Sequence, residues 1–194
     1  MFIIVIEERI FDMFLTRKIP SRNNTNVYNV MDVAIHIINY CKAKQRPINN
    51  LTLQKLLYFT QAYFMTQTKE KQKVFNASFV AWEFGPACPT TYYEFQHHNG
   101  NLASIFTEYL ILSTEIYKYN PNAIADQDKI IIHAVVDYYL NFSSSDLVTL
   151  SRHQDPWLNT PKGMTITEQA MVRYFSKNKQ PIFIKKNKES MSYV

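Results

Sequence analysis

Glycine is scarce in this 194-residue chain: Gly85, Gly100 and Gly163 are its only three. They stand far apart, so neither GxGxxG nor a GxxxxGK loop can be written anywhere. Both motifs need glycine because the backbone must approach a phosphate closely, with no Cβ in the way. The sequence therefore argues against a Rossmann or P-loop nucleotide-binding enzyme. Cysteine is scarcer still. Cys41 and Cys88 cannot build a four-cysteine zinc site or a disulfide framework, and so few suit a reducing cytoplasm. Long apolar runs are missing as well. Met1-Phe2-Ile3-Ile4-Val5-Ile6 is interrupted by Glu7, Glu8 and Arg9. It is too short for the apolar region of a secretory signal and lacks the positive flank that precedes one. No membrane segment is expected.

What the chain does have is core material. Hydrophobic residues make up 46%, including 13 Tyr, 13 Phe and 2 Trp. The length fits one domain, since a single core serves roughly 100–200 residues. The formal charge of +5 is concentrated: Arg173–Val194 carries six basic residues against Glu189, leaving 15 of each sign elsewhere. The body is balanced, and the basic character belongs to a tail. Such a tail offers a contact for nucleic acid or an acidic partner, although a short Lys- and Asn-rich terminus is more often simply solvated.

Residues 1–26 read as an extension, ending in the polar run Ser21-Arg22-Asn23-Asn24-Thr25-Asn26. Asn29 then caps a helix whose apolar positions are Val30, Val33, Ala34, Ile37, Ile38 and Cys41, the spacing of one buried stripe. Asp32 suits the positive end of its dipole, Tyr28 is placed to staple against Val33, and Pro47 prevents continuation. The next helix carries one charge, Lys55, between Arg46 and Lys69. Leu53, Leu56, Leu57, Tyr63 and Phe64 line one side, while Tyr58, Phe59, Ala62 and Met65 cover the other. A helix apolar nearly all round is central.

Phe79–Phe84 reads as a short strand stopped by Gly85-Pro86, with Val74-Phe75 or Tyr109–Leu112 as its partner. Pro89 suits the first turn of a helix bearing Tyr92 and Phe95 and ending near Gly100. Asp126 and Asp128 open a helix with Ile130, Ile131, Ala134, Val135 and Tyr138 on one side. Ser143–Asp146 fits a cap before Leu147, and Thr165–Glu168 fits a capping box for a last helix through Met171, Val172 and Phe175. The pattern predicts a mainly α fold: a compact bundle of about six helices around a central apolar helix, with one small β element.

Groups that carry chemistry are few and dispersed. His36, His97, His98, His133 and His153 include no i, i+4 pair and no HExxH. His97-His98 with Cys88 lack a fourth metal ligand. Cys88 sits at a helix start, where a dipole activates thiols but a small buried residue is commoner. Glu83 and Asp155 form no carboxylate pair, and a polar site from Glu83, His153 and Tyr92 would require the fold to gather them. No catalytic residue, metal or cofactor is predicted. What stands out is aromatic: Trp82, Phe84, Gly85-Pro86, Tyr92, Tyr93 and Pro156-Trp157, residues that anchor protein partners or fill a core.

The order of these pieces resembles the Panacea domain, the SocA-like antitoxin family found on prophages and in bacterial toxin–antitoxin operons. The matching stretches are Tyr28–Ala34, Leu53–Phe59, Ala81–Pro86, then Pro89 with Tyr92 and Phe95. His153 with Pro156-Trp157 and Tyr174-Phe175 complete the set. Together they span residues 27–176, leaving 1–26 as an N-terminal extension and 177–194 as a basic tail outside the pattern. The resemblance implies a small helical protein in the cytoplasm, not an enzyme, that neutralises a cognate toxin from a neighbouring gene by binding it. It also implies a second route, delivery of that toxin to a cytoplasmic protease. The surface expected to meet the partner comprises Trp82, Phe84, Gly85, Pro86, Tyr92, His153 and Trp157. Two other readings stay open. One is a nucleic-acid-binding regulator of its own operon, acting through the tail with Lys42, Lys44 and Arg46. The other is a small hydrolase or metal enzyme.

Overall fold

The computed structural model describes residues 26–68, 71–98, 100–104, 109–111 and 116–180. Most of the predicted extension and tail, residues 1–25 and 181–194, lies outside them. The helices are α1 (Val30–Ala43), α2 (Asn50–Gln67), α3 (Pro89–Phe95), α4 (Asp126–Tyr139), α5 (Ser144–Arg152), α6 (Asp155–Leu158) and α7 (Glu168–Lys177). The fold is mainly α with a small sheet, as the pattern predicts. Among the described residues no helix is long and apolar enough to cross a membrane.

Capping explains where the first helices begin. Asn29 accepts from the Met31 N–H at 2.9 Å, and Asn49 from the Thr52 N–H at 2.8 Å, each meeting a donor that the first turn leaves open. Every residue of α2 from Thr52 to Thr66 is buried. That follows from its apolar girth: α2 touches α1, α3, α4, α5, α7 and a strand. Its aromatics build the centre. Phe59 stacks on Tyr139 with centroids 3.9 Å apart, while Tyr58 meets Phe79 and Phe175 edge-on at 5.3 and 5.7 Å.

The core also carries polar joints. Gln61 accepts from the Val74 N–H at 3.0 Å and donates to the Phe75 carbonyl at 2.9 Å, tying a loop to α2. Tyr28 donates to the buried Asp128 carboxylate at 2.6 Å and accepts from the Ala125 N–H, tying the entry of α1 to the start of α4. Phe75 forms a bridge with Tyr28.

The sheet differs from expectation in its partners. Strand β1 (Phe79–Trp82) pairs antiparallel with β2 (Gly85–Ala87) and with β5 (Thr165–Ile166), in the order β2-β1-β5. Val74-Phe75 and 109–111 are not its neighbours; Tyr109–Ile111 (β3) pairs instead with Ile116–Lys118 (β4). Glu83 and Phe84 form a tight turn, and Gly85 opens the return strand, with Trp82 opposite Gly85. A positive φ of 90° at Gly85 makes that reversal possible, so the glycine that reads as a stop signal is a hairpin corner.

Three helix details also move. Asp126 does open α4, but its core face is Ile131, Ile132, Val135, Val136 and Tyr139, and Ile130 is 44% exposed. The buried stripe lies one position on from the predicted one, about 100° around the axis, in a helix apolar on more than one face. Thr165 is a strand residue, and Thr167 caps α7 by accepting from the Ala170 N–H. Helix α3 ends at Phe95, before Gly100. The Ser143–Asp146 capping box forms as predicted.

Candidate functional site

The site grows from the first turns of α2. Gln54 is buried; its amide donates to Asn50 at 2.9 Å and its carbonyl accepts from the Cys88 N–H at 2.9 Å. Asn50 donates to the Tyr92 carbonyl at 3.0 Å. These bonds fasten the backbone of α3 to α2 and so place Tyr92. Trp82, at the end of β1, meets Tyr92 edge-on at 4.8 Å and Tyr93 at 5.8 Å. Behind it, the Trp157 indole donates to the Trp82 carbonyl at 2.9 Å, and Arg152 lies over the Trp157 ring.

These elements bound a cleft of about 330 Å³. Of the residues predicted from sequence, Trp82, Phe84, Gly85 and Tyr92 line it. Phe84 stands at the rim, 61% exposed. The other three take different places. Pro86 is buried, and its carbonyl faces α2. Trp157 braces Trp82 from behind. His153 is exposed at the end of α5, with Nδ1 2.7 Å from the Thr149 carbonyl, and it does not line the cleft. Glu83, exposed on the turn, does not line it either. The conjectured Glu83–His153–Tyr92 site is therefore not assembled.

Sequence reasoning missed the rest of the lining, Asn50, Gln54, Lys55 and His98 among it. A signal existed for Lys55, the lone charge in an apolar helix. Its side chain is 1% exposed, and Nζ donates to the Pro86 carbonyl at 2.8 Å. The reason lies in the sheet. Strand β2 is an edge, and its outward carbonyl needs a donor. Glycine is required opposite the amine: a Cβ on Gly85 would lie 2.6 Å from Ser151 Oγ and 3.0 Å from Lys55 Nζ. Burial pushes the Lys55 amine down to about 7. Among the described residues no Asp or Glu lines the cleft.

A second cluster joins α1 to α4. His36 and His133 face each other with Nε2 atoms 2.9 Å apart, and His133 stacks on Tyr40 at 3.7 Å. Burial pushes both imidazoles down to about 4. Among the described residues no group of three or more His, Cys, Asp or Glu is positioned to hold a metal, the His97-His98 and Cys88 combination included.

A family model described as "Antitoxin SocA-like, Panacea domain" matches residues 53–158. That segment opens two residues before Lys55 and closes just after Trp157, so it contains the floor and back wall of the cleft. The chain belongs to this SocA-like antitoxin family. Antitoxin SocA of Caulobacter vibrioides (strain NA1000 / CB15N) is 40% identical over 60 residues, 31% of this chain and 31% of that protein. The chain thus aligns with about a third of the length of this curated relative. No solved structure matches it.

Proposed function

We propose that this protein is a cytoplasmic antitoxin that neutralises a cognate toxin by binding it directly, with residues 27–176 as the binding domain. The toxin is encoded by a neighbouring gene, and the cleft beside Trp82 and Tyr92 is the docking surface. The observation that carries this reading is the cleft itself. Two aromatic rings pack edge-on against each other, on backbone that Asn50 and Trp157 tie down, with Phe84 exposed beside them. Rigid aromatic anchors of this kind supply most of the affinity in protein interfaces, because little side-chain entropy is lost when they are covered. Neutralisation then follows from occlusion. Delivery to a protease would use the same contact and differ only in the toxin's fate.

Nucleic-acid binding through the body has less support. Lys44 is paired with Asp137 at 2.9 Å, and Arg46 donates to the Leu140 carbonyl.

Co-expression tests the proposal. The product of the adjacent open reading frame should be toxic alone and tolerated with this protein, and protection should be lost with Trp82→Ala at equal protein level. A neighbour that is harmless alone, or full protection by Trp82→Ala, would overturn it. Toxin abundance separates the two routes: unchanged under occlusion, reduced under proteolytic delivery.

A further inference from the structure

Lys55 is more than the edge of the sheet needs. An ammonium has three donors, and among the described residues the bond to Pro86 is the one it makes. Among the described residues the ion pairs lie elsewhere, joining Lys44 to Asp137, Lys73 to Glu168 and Lys129 to Asp126. A buried cation without a counter-charge costs several kcal/mol, and a neutral amide would serve a lone carbonyl equally well. Gln61 does that work on the same helix, donating to the Phe75 carbonyl at 2.9 Å. The amine also lies at the edge of usable space. Lys55 lines the cleft from its buried floor, and Gly85 packs so closely over it that a Cβ there would fall 3.0 Å from Nζ. The charge, the spare donors and the absence of any lining acid all call for an anion.

We propose that the cleft takes a glutamate side chain of the bound partner, its carboxylate meeting the Lys55 ammonium and its methylenes lying against Trp82 and Tyr92. This rests on the toxin-binding reading and names what that surface takes. The geometry favours a side chain on a stem. The amine is almost fully buried while Phe84 stands at the rim, so the charge must travel inward while the partner's backbone stays outside. An entering carboxylate also restores the charge that burial disfavours, and charge-assisted bonds of this kind are about twice as strong as neutral ones. His98 also lines the cleft, but it is exposed and adds no second buried charge.

The test uses the full chain and its two tryptophans, whose indole N–H signals are assigned with Trp157→Phe. The protein is titrated with acetyl-Leu-Glu-Leu-amide, acetyl-Leu-Gln-Leu-amide, and acetyl-Leu-Leu-Leu bearing a free C-terminus. The glutamate peptide should shift the Trp82 signal and bind at least about tenfold more tightly than the glutamine peptide. Lys55→Gln, which keeps a donor for Pro86, should bring the two within about twofold. Equal binding of both peptides overturns the proposal, as does a preference that survives Lys55→Gln. So does tighter binding of the free terminus, or a Trp82 signal that no peptide moves. The peptide comparison on the unsubstituted protein stands even where the variant fails to fold. Protection against a neighbouring toxin without a glutamate preference sinks this inference alone. A glutamate preference in a protein that protects against no neighbour sinks the antitoxin reading alone.

Discussion

Two places in this molecule hold basic groups whose charge burial disfavours, and they resolve the problem in opposite ways. His36 and His133 turn toward each other, and Tyr119 and Tyr40 close the arrangement. A neutral imidazole carries one donor and one acceptor, and His36 has both nitrogens partnered, by Tyr119 and by His133. Lys55 has a single carbonyl, spare donors and an open cleft above it. Desolvation alone therefore does not mark a functional site. Hydrogen-bonding capacity left over and facing reachable space does.

The contrast is sharpest in the pH dependence of stability. The folded Lys55 amine titrates at about 7, against 10.5 in the unfolded chain. Between those values the unfolded state binds more protons, so Lys55 makes stability rise with pH across that window. Tyr58 and Tyr139, held protonated by burial, act the other way above pH 10. Denaturant midpoints read between about pH 7.5 and 9.5 should climb, and Lys55→Met should flatten that climb, an effect of the order of several kcal/mol. The histidine pair works in a lower window. Both imidazoles fall from 6.5 to about 4 in the folded protein, so stability is lost as pH falls through that range. His36→Gln with His133→Gln should remove that loss. If the lysine variant leaves the alkaline limb unchanged, the amine is not isolated as described.

A smaller effect comes from the corner that packs against the amine. Gly85→Ala adds a Cβ against Ser151 and Lys55 at a φ of +90°, and should cost about 2 kcal/mol in chemical denaturation. Smaller again is Trp157→Phe, which keeps the packing but deletes the bond to the Trp82 carbonyl. A loss of about 1 kcal/mol is expected, with a broadened Trp82 indole signal as the wall loosens.

How much of this was readable beforehand depends on the range of the interaction concerned. Helices α1, α2 and α5 were legible because caps and apolar spacing act within a few residues: Asn29, the girth of α2 and the Ser143–Asp146 box all behave as the pattern requires. The β1 partners were not. Pairing Phe79 with Ile166 joins residues far apart in the chain, and two-residue β5 carries no strand signature of its own. The face of α4 was misread because Ile130, Ile131 and Ile132 are chemically equivalent, and only the position of α2 decides which of them is buried.

The candidate site divides along the same line. Trp82, Phe84, Gly85 and Tyr92 attract notice as large aromatics around a glycine, and the fold does bring them into one cleft. His153 looked equivalent to them in sequence but caps a helix end. Lys55 was visible as a lone charge in an apolar helix. Its meaning depended on Pro86 lying at a sheet edge and on Gly85 standing opposite, neither of which a helical pattern encodes.

The most direct measurement is the affinity of the purified toxin from the neighbouring gene for three forms of this protein, by titration calorimetry. The account predicts that Trp82→Ala weakens binding by at least about thirtyfold, the loss of one anchor of about 2 kcal/mol. His133→Gln, outside the cleft, should leave it within about threefold of the unsubstituted chain. Unchanged affinity in Trp82→Ala, or a larger loss in His133→Gln, would contradict the placement of the binding surface at this cleft.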